Sequence, residues 1–200
     1  MLNVFVHDFA SGMKSVDAMR LSAQGRNRTY QPGVGPYREV DAVAQTVAEM
    51  KRQSPSKYGS IQTQVRYPKS SQKCDVYWEG KDETWAIEVK MIRFRGDNGK
   101  LADLSVQDIL SPYSEDHSAL SDCIKLARSG FVARTGLLLY AFEDLERPVD
   151  ILVDAFEKLA SHYVRLGTRN VAYLEGLVHP VHAAGRVFGW MVSAEQMDAG

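Results

Sequence analysis

The chain has 200 residues, 44% of them apolar and 24% charged, with a formal net charge of −1. These proportions exclude disordered, collagen-like and coiled-coil chains and predict a single domain. No run approaches the roughly 18 consecutive apolar residues of a membrane span, and the opening MLNVFVHDFA carries His7 and Asp8 where a signal peptide needs an unbroken apolar run. Cys74 and Cys123 are too few for a disulfide scaffold. The expectation is a cytoplasmic protein with no membrane partner.

Residues 1–35 read as an N-terminal arm, ending in an exposed loop over 22–36 (SAQGRNRTYQPGVGP) rich in Gly, Pro and Arg. Pro36 opens a helical pattern, with Glu39 and Asp41 suited to the positive end of a helix. Val40, Val43, Ala44, Val47 and Met50 carry that helix over 36–53, and Ser54-Pro55 ends it. Three strands follow, at 61–67, 74–78 and 84–92, the last two joined by a tight turn at Glu79-Gly80-Lys81-Asp82. A loop over 93–101 leads on to a helix over 116–129 that Gly130 closes. The apolar run TGLLLYAF (135–142) reads as a central strand covered on both faces. A helix from Pro148 through Tyr163, closed by Gly167, and strands at 171–177 and 186–192 complete the chain. The order predicts an α/β fold, a mixed central sheet flanked by helices, with a core over 36–142 and a C-terminal extension of the same domain over 143–200.

The near-neutral total hides an asymmetry. Residues 1–74 hold 11 Lys/Arg and 5 Asp/Glu, a net of +6, whereas residues 75–200 hold 13 and 20, a net of −7. The stretch 50–74 has Lys51, Arg52, Lys57, Arg66, Lys69 and Lys73, no acid, and the interleaved Tyr58 and Tyr67. Cations that hold a phosphate backbone, beside acids that hold a metal, are what a phosphodiester-handling protein needs. The alternative is a solvated surface face.

An acidic-x-Lys string occurs three times, at Glu49-Met50-Lys51, Glu79-Gly80-Lys81 and Glu88-Val89-Lys90. Only the third lies in an alternating strand. There Glu88 and Lys90 share one face, about 7 Å apart from two strand rises, while Trp85, Ile87, Val89 and Met91 anchor the other. Asp75 precedes Glu88 by thirteen residues, in the neighbouring strand of the inferred hairpin. Two carboxylates brought together repel, so they call for a cation between them. Hard oxygen ligands favour Mg²⁺ or Mn²⁺ over zinc. A lysine beside such an ion can orient a water and neutralise charge on a phosphorane-like transition state.

Asp75…Glu88-Val89-Lys90, preceded by a helix bearing Glu39 and followed by helix and strand, resembles the PD-(D/E)XK nuclease superfamily over about residues 36–142. The resemblance implies a restriction-endonuclease-like αβββαβ core with an additional C-terminal helix and strands. It also implies a metal-dependent endonuclease of restriction or phage-defence type that hydrolyses DNA. By that pattern Asp75, Glu88 and the Val89 carbonyl would ligate Mg²⁺, with Mn²⁺ as a substitute. Lys90 would be the catalytic lysine, and Glu39 an additional acid binding a second metal or a water. Cys74 stands where the superfamily pattern has proline.

Lys69 and Lys73 before the motif, and Arg93 and Arg95 after it, are candidates for gripping nucleic acid. Lys125 could face the same cleft. Asp116, Ser118 and Asp122 read first as a capped helix start, and His179-Pro180-Val181-His182 as loop histidines between terminal strands. A homodimer would supply one centre for each DNA strand. The competing expectation is a catalytically silent nuclease-fold subunit that binds nucleic acid or a protein partner in a defence complex.

Overall fold

Two strands carry apolar side chains on both faces, and they lie side by side at the middle of the sheet. They are β5 (Thr84–Ile92) and β6 (Arg134–Phe142), paired in parallel from Trp85↔Arg134 to Ile92↔Ala141. In the computed structural model, which describes residues 1–25, 29–102 and 106–194, every other pairing in this sheet is antiparallel. β3 (Gln62–Arg66) and β4 (Lys73–Glu79) extend it on the β5 side. On the β6 side comes β9 (Ala184–Ala194), whose outer edge takes β7 (Val164–Leu166) and β8 (Asn170–Glu175) along different stretches. The result is a mixed α/β fold: a seven-stranded mixed sheet packed against helices, with a separate two-stranded hairpin, β1 (Ser22–Gln24) and β2 (Thr29–Pro32).

Helices cover both faces. α1 (Leu2–Ala18), α2 (Glu39–Gln53) and the short α3 (Pro55–Tyr58) pack on the face formed by Trp78, Trp85, Ile87, Val89 and Tyr140. α4 (Gln107–Leu110), α5 (Ala119–Ala127) and α6 (Val149–Ala160) pack on the face formed by Ala86, Ile92, Leu137 and Leu139. A parallel pair needs a crossover between its strands, and the crossover between β5 and β6 carries α4 and α5. Both helices therefore lie on the sheet face that Glu88 and Lys90 share. The expected order α-β-β-β-α-β is present as α2-β3-β4-β5-α5-β6, with α3 and α4 as short additions.

Three expectations are corrected. Residues 1–35 are not an arm: Leu2, Phe5, Val6, Phe9, Ala10, Met13 and Val16 recur at spacings of three and four and bury one face of α1 in the core. Nor is 22–36 wholly an exposed loop. It holds the β1–β2 hairpin, and Gly33 to Tyr37 are buried, although residues 26–28 lie outside the described residues. Burial follows from Asp17, whose carboxylate accepts the Val34 N–H (2.8 Å) and the Val178 N–H (2.6 Å). Gly35 also passes so close to His182 that a Cβ there would meet the ring at 2.4 Å. Lastly, α6 ends at Ala160, and Val164–Leu166 pairs with β9 instead of extending the helix.

A candidate active site where two strands part

β4 and β5 stay paired from Glu79↔Thr84 to Val76↔Ile87. One step further the ladder would set Asp75 opposite Glu88, and there side chains replace the backbone. The Asp75 N–H donates to Glu88 Oε2 at 3.3 Å, and the Val89 N–H donates to Asp75 Oδ2 at 2.9 Å. The Cys74 thiol donates to the Ile87 carbonyl. An extended residue sends its N–H and C=O out of the same strand edge, so the Val89 carbonyl emerges on the edge that Asp75 occupies. The next residue on this edge is Met91, whose N–H donates to Glu39 Oε2 at 2.6 Å. Glu39 is the first residue of α2, where the helix dipole favours a carboxylate.

On the face toward α5 the charges alternate. Lys90 Nζ lies 3.5 Å from Glu39 Oε1 and 3.2 Å from Asp122 Oδ2. Lys125 Nζ lies 2.8 Å from Asp122 Oδ1 and 2.7 Å from Glu88 Oε1. The Tyr67 hydroxyl also donates to Glu88, and Lys125 sits over the Tyr67 ring, 5.1 Å from its centroid. Gln64, at φ +57°, donates its amide to Asp75 Oδ1 at 3.0 Å. The sequence Glu39–Lys90–Asp122–Lys125–Glu88–Asp75 is thus one connected ladder. α5 is positioned for it by Ser118, whose hydroxyl caps the helix by accepting the Ser121 N–H at 3.0 Å.

Counted as ionised, four carboxylates face two ammonium groups, and Glu88 is only 2% exposed. Two like charges about 4 Å apart repel by about 4 kcal/mol at an effective dielectric of about 20, and burial adds its own penalty. Glu88 responds as this predicts: burial first, and then the facing Asp75, push its carboxyl up to about 7. Burial likewise raises Asp75, against the opposing pull of Glu88 and of the Val89 N–H, and it raises Glu39 and Asp122 as well. For the lysines burial works the other way, but the acids win. Asp122, Glu39 and Asp75 hold Lys90 above its ordinary range, and Asp122 and Glu88 do the same for Lys125. Both amines are therefore cations held in place.

The structure brings together Asp75, Glu88, Lys90, Glu39 and Val89, the residues expected to form the centre. It places Lys69 in the exposed turn between β3 and β4, and Lys73 at the exposed first position of β4. Arg93 donates to the Gly35 carbonyl at 2.7 Å. The Arg95 guanidinium is engaged by Asp144, Glu146 and the Gly99 carbonyl. The sequence marks Asp122 as part of a helix start, Gln64 as a strand residue and Tyr67 as an aromatic interleaved in the basic stretch 50–74, none of them as part of the centre. A signal for Asp122 and Lys125 exists in the sequence: they stand three apart beside Ala119, Cys123 and Leu126, so a helix through 119–127 carries charges at the edge of its apolar stripe.

Comparison with known proteins returns no match, whether to a family model, a curated protein or a solved structure. Among the described residues no three His, Cys, Asp or Glu side chains converge closely enough to hold an ion by themselves. The donors that do converge are two carboxylates and a main-chain carbonyl, all hard oxygens. That set suits Mg²⁺, which keeps several of its waters and takes one or two carboxylates from a protein. The raised proton affinity of Glu88 beside Asp75 points the same way, because a divalent cation relieves the repulsion that the proton otherwise relieves.

Proposed function

We propose that the protein is a divalent-metal-dependent phosphodiesterase acting on nucleic acid, with DNA as the favoured substrate and endonucleolytic cutting of restriction or phage-defence type. One observation carries this reading: Asp75 and Glu88 meet at the point where β4 leaves β5, with the Val89 N–H bonded to Asp75 and Lys90 on the same face as Glu88. Asp75, Glu88 and the Val89 carbonyl would hold Mg²⁺ or Mn²⁺, and such an ion supplies Lewis-acid polarisation of phosphoryl oxygen and a lowered water pKa. Lys90, kept protonated and fixed between Asp122 and Glu39, presents N–H donors to an attacking water and to the oxygens that gain charge. Asp122 acts through Lys90 and Lys125 and is a positioning residue.

The second reading, a nuclease-fold subunit that binds without cutting, draws support from the completeness of the ladder, in which Lys125 already engages Glu88. Plasmid DNA and single-stranded RNA, each with Mg²⁺ and with EDTA, separate the two readings. Cleavage is expected with Mg²⁺ and not with EDTA. Lys90→Ala should reduce it, per folded molecule, by at least 100-fold, the lower range for a lost charge-stabilising donor of about 10²–10³. Undiminished Mg²⁺-dependent cutting by Lys90→Ala would refute the assigned role, and absence of cutting by the wild-type protein would favour the silent subunit.

A further inference from the structure

Beyond Asp122 and Lys125, the outer side of α5 borders a cavity of about 160 Å³, several times the roughly 30 Å³ share of one liquid water. Gln72 from the β3–β4 turn, Ser114 and His117 from the segment before α5, and Lys125 and Arg128 from α5 line it. Asp122 also borders it, but both its carboxylate oxygens are taken by Lys90 and Lys125. Glu115 and Asp116 lie on the same segment, with Glu115 accepting from Ser114 and Asp116 from Ser111. Lys125 is likewise engaged by Asp122 and Glu88, and Ser114 donates to Glu115, so Arg128 is the lining cation that makes no ion pair among the described residues.

The surroundings reinforce this. The end of α5 packs on the β3–β4 turn: Phe131 lies against Tyr67 with ring centroids 5.0 Å apart, and a Cβ on Gly130 would come within 4.0 Å of Pro68. Arg128 shares the cavity with Gln72 of the turn that joins Arg66, the last residue of β3, to Lys73, the first of β4, and that carries Lys69. Arg66 and Lys73 are direct cross-strand partners, both exposed. Like charges placed opposite each other destabilise a strand pair, and among the described residues neither they nor Lys69 nor Arg128 makes an ion pair. Lys73 also lies two residues before Asp75 on the same strand. Among the described residues, Arg66, Lys69, Lys73 and Arg128 thus stand near the acidic ladder without an acidic partner.

We propose that this cavity and the adjoining turn bind the phosphate next to the one that is cut, with Arg128 as the principal contact and Lys73 and Lys69 continuing the backbone track. The identity of the anion, a nucleic-acid phosphodiester, rests on the phosphodiesterase reading; the existence of an anion site does not. Each phosphate neutralised on a duplex contributes about 0.9 to the slope of log affinity against log salt.

The test is fluorescence anisotropy of a labelled DNA duplex between low and moderate salt, in EDTA so that nothing is cut. The proteins compared are wild type, Arg128→Gln, Lys73→Gln and, as a control on the far edge of the sheet, Arg165→Gln, all checked for equal melting. Arg128→Gln should weaken binding several-fold and flatten the slope by about 0.9, Lys73→Gln should act similarly, and Arg165→Gln should leave both quantities unchanged. Equal losses in all three variants, wild-type behaviour of Arg128→Gln, or no binding by the wild-type protein would overturn the proposal. The same samples are then given Mg²⁺. Cutting together with an unaltered Arg128→Gln slope defeats the anion site alone. Salt-dependent binding that Arg128→Gln weakens, without any cutting, defeats the activity and leaves the site standing.

Discussion

Two clusters of buried polar side chains hold this fold together on opposite terms. Around His179 and His182, 0% and 2% exposed, bonds tie the 179–182 segment to itself and to the 93–101 loop. His179 Nε2 meets Asp97 at 2.7 Å, its Nδ1 accepts the Val181 N–H at 3.2 Å, and His182 Nε2 donates to the Arg95 carbonyl at 2.9 Å. Asp17 adds its bonds to Val34 and Val178 beside them. The two rings also approach each other, Nδ1 to Nδ1 at 3.1 Å, and the cluster fastens the 93–101 loop and the 178–183 segment to the N-terminal region. The ladder from Glu39 to Asp75 instead has more acids than bases and opens at a sheet edge. Burial of polar groups is thus not in itself the mark of a site; a residual charge facing outward is.

The contrast can be broken most forcefully at Asp17. Asp17→Ala strands the buried Val34 N–H and the half-buried Val178 N–H, at about 1–3 kcal/mol for each donor left unpaired, so urea denaturation should show a loss of about 3 kcal/mol. Metal-dependent cutting per folded molecule should stay at the wild-type level. Selective loss of activity without loss of stability would place the N-terminal region in the site and undo the distinction.

Protons sharpen the comparison next, because the two clusters bias stability in opposite directions. Burial lowers His182 to about 4 from 6.5, so between these values the unfolded chain binds a proton that the fold refuses. Its contribution is full above pH 6.5 and is lost as the pH falls toward 4. Glu88, raised to about 7 from 4.5, binds a proton that the unfolded chain has released. Its contribution is full below pH 4.5 and is lost as the pH rises through 7. Each group bends the stability profile by at most about 1.4 kcal/mol per pH unit. In urea midpoints measured from pH 4.5 to 8, His182→Gln should remove the acid-side fall and Glu88→Gln the rise toward low pH. Identical profiles for the two variants would contradict the assignment.

A smaller effect is expected at Tyr140, fully buried, whose hydroxyl has no hydrogen-bond partner among the described residues. Tyr140→Phe removes an unsatisfied polar atom while keeping the ring, so it should be neutral or stabilising by under about 1 kcal/mol. A clear destabilisation in the same urea assay would mean that the hydroxyl is bonded in solution.

Much of this arrangement was legible in residue order, for reasons that differ by region. β5 and β6 announce themselves, because a strand buried on both faces reads as a nearly continuous apolar run. The alternation in β5 separates Glu88 and Lys90 from Trp85, Ile87 and Val89 without any coordinates. α1 escaped because its periodicity, clear in Leu2, Phe5, Val6, Phe9 and Met13, was weighed only against a signal peptide. β7 escaped because three residues carry too little pattern to compete with the helix before them. Asp122 and Lys125 belong to the centre only through tertiary packing: α5 crosses the sheet face above Glu88, and no local spacing encodes that crossing. The histidines do lie in the loop between β8 and β9, but their burial depends on Gly33, Gly35 and Asp17, far away in the chain, and leaves no mark beside residues 179–182.

The central claim, that Asp75 and Glu88 form a divalent-cation site, is tested most directly by thermal melting of the metal-free protein titrated with Mn²⁺, wild type against Asp75→Asn. An ion bound only by the folded chain stabilises it by about 2.7 kcal/mol at 100 times its dissociation constant. The wild-type midpoint should therefore climb with Mn²⁺ and saturate. Asp75→Asn, relieved of one like charge, should start higher in EDTA and stay flat. An equal climb in both proteins, or none in the wild type, would contradict the account.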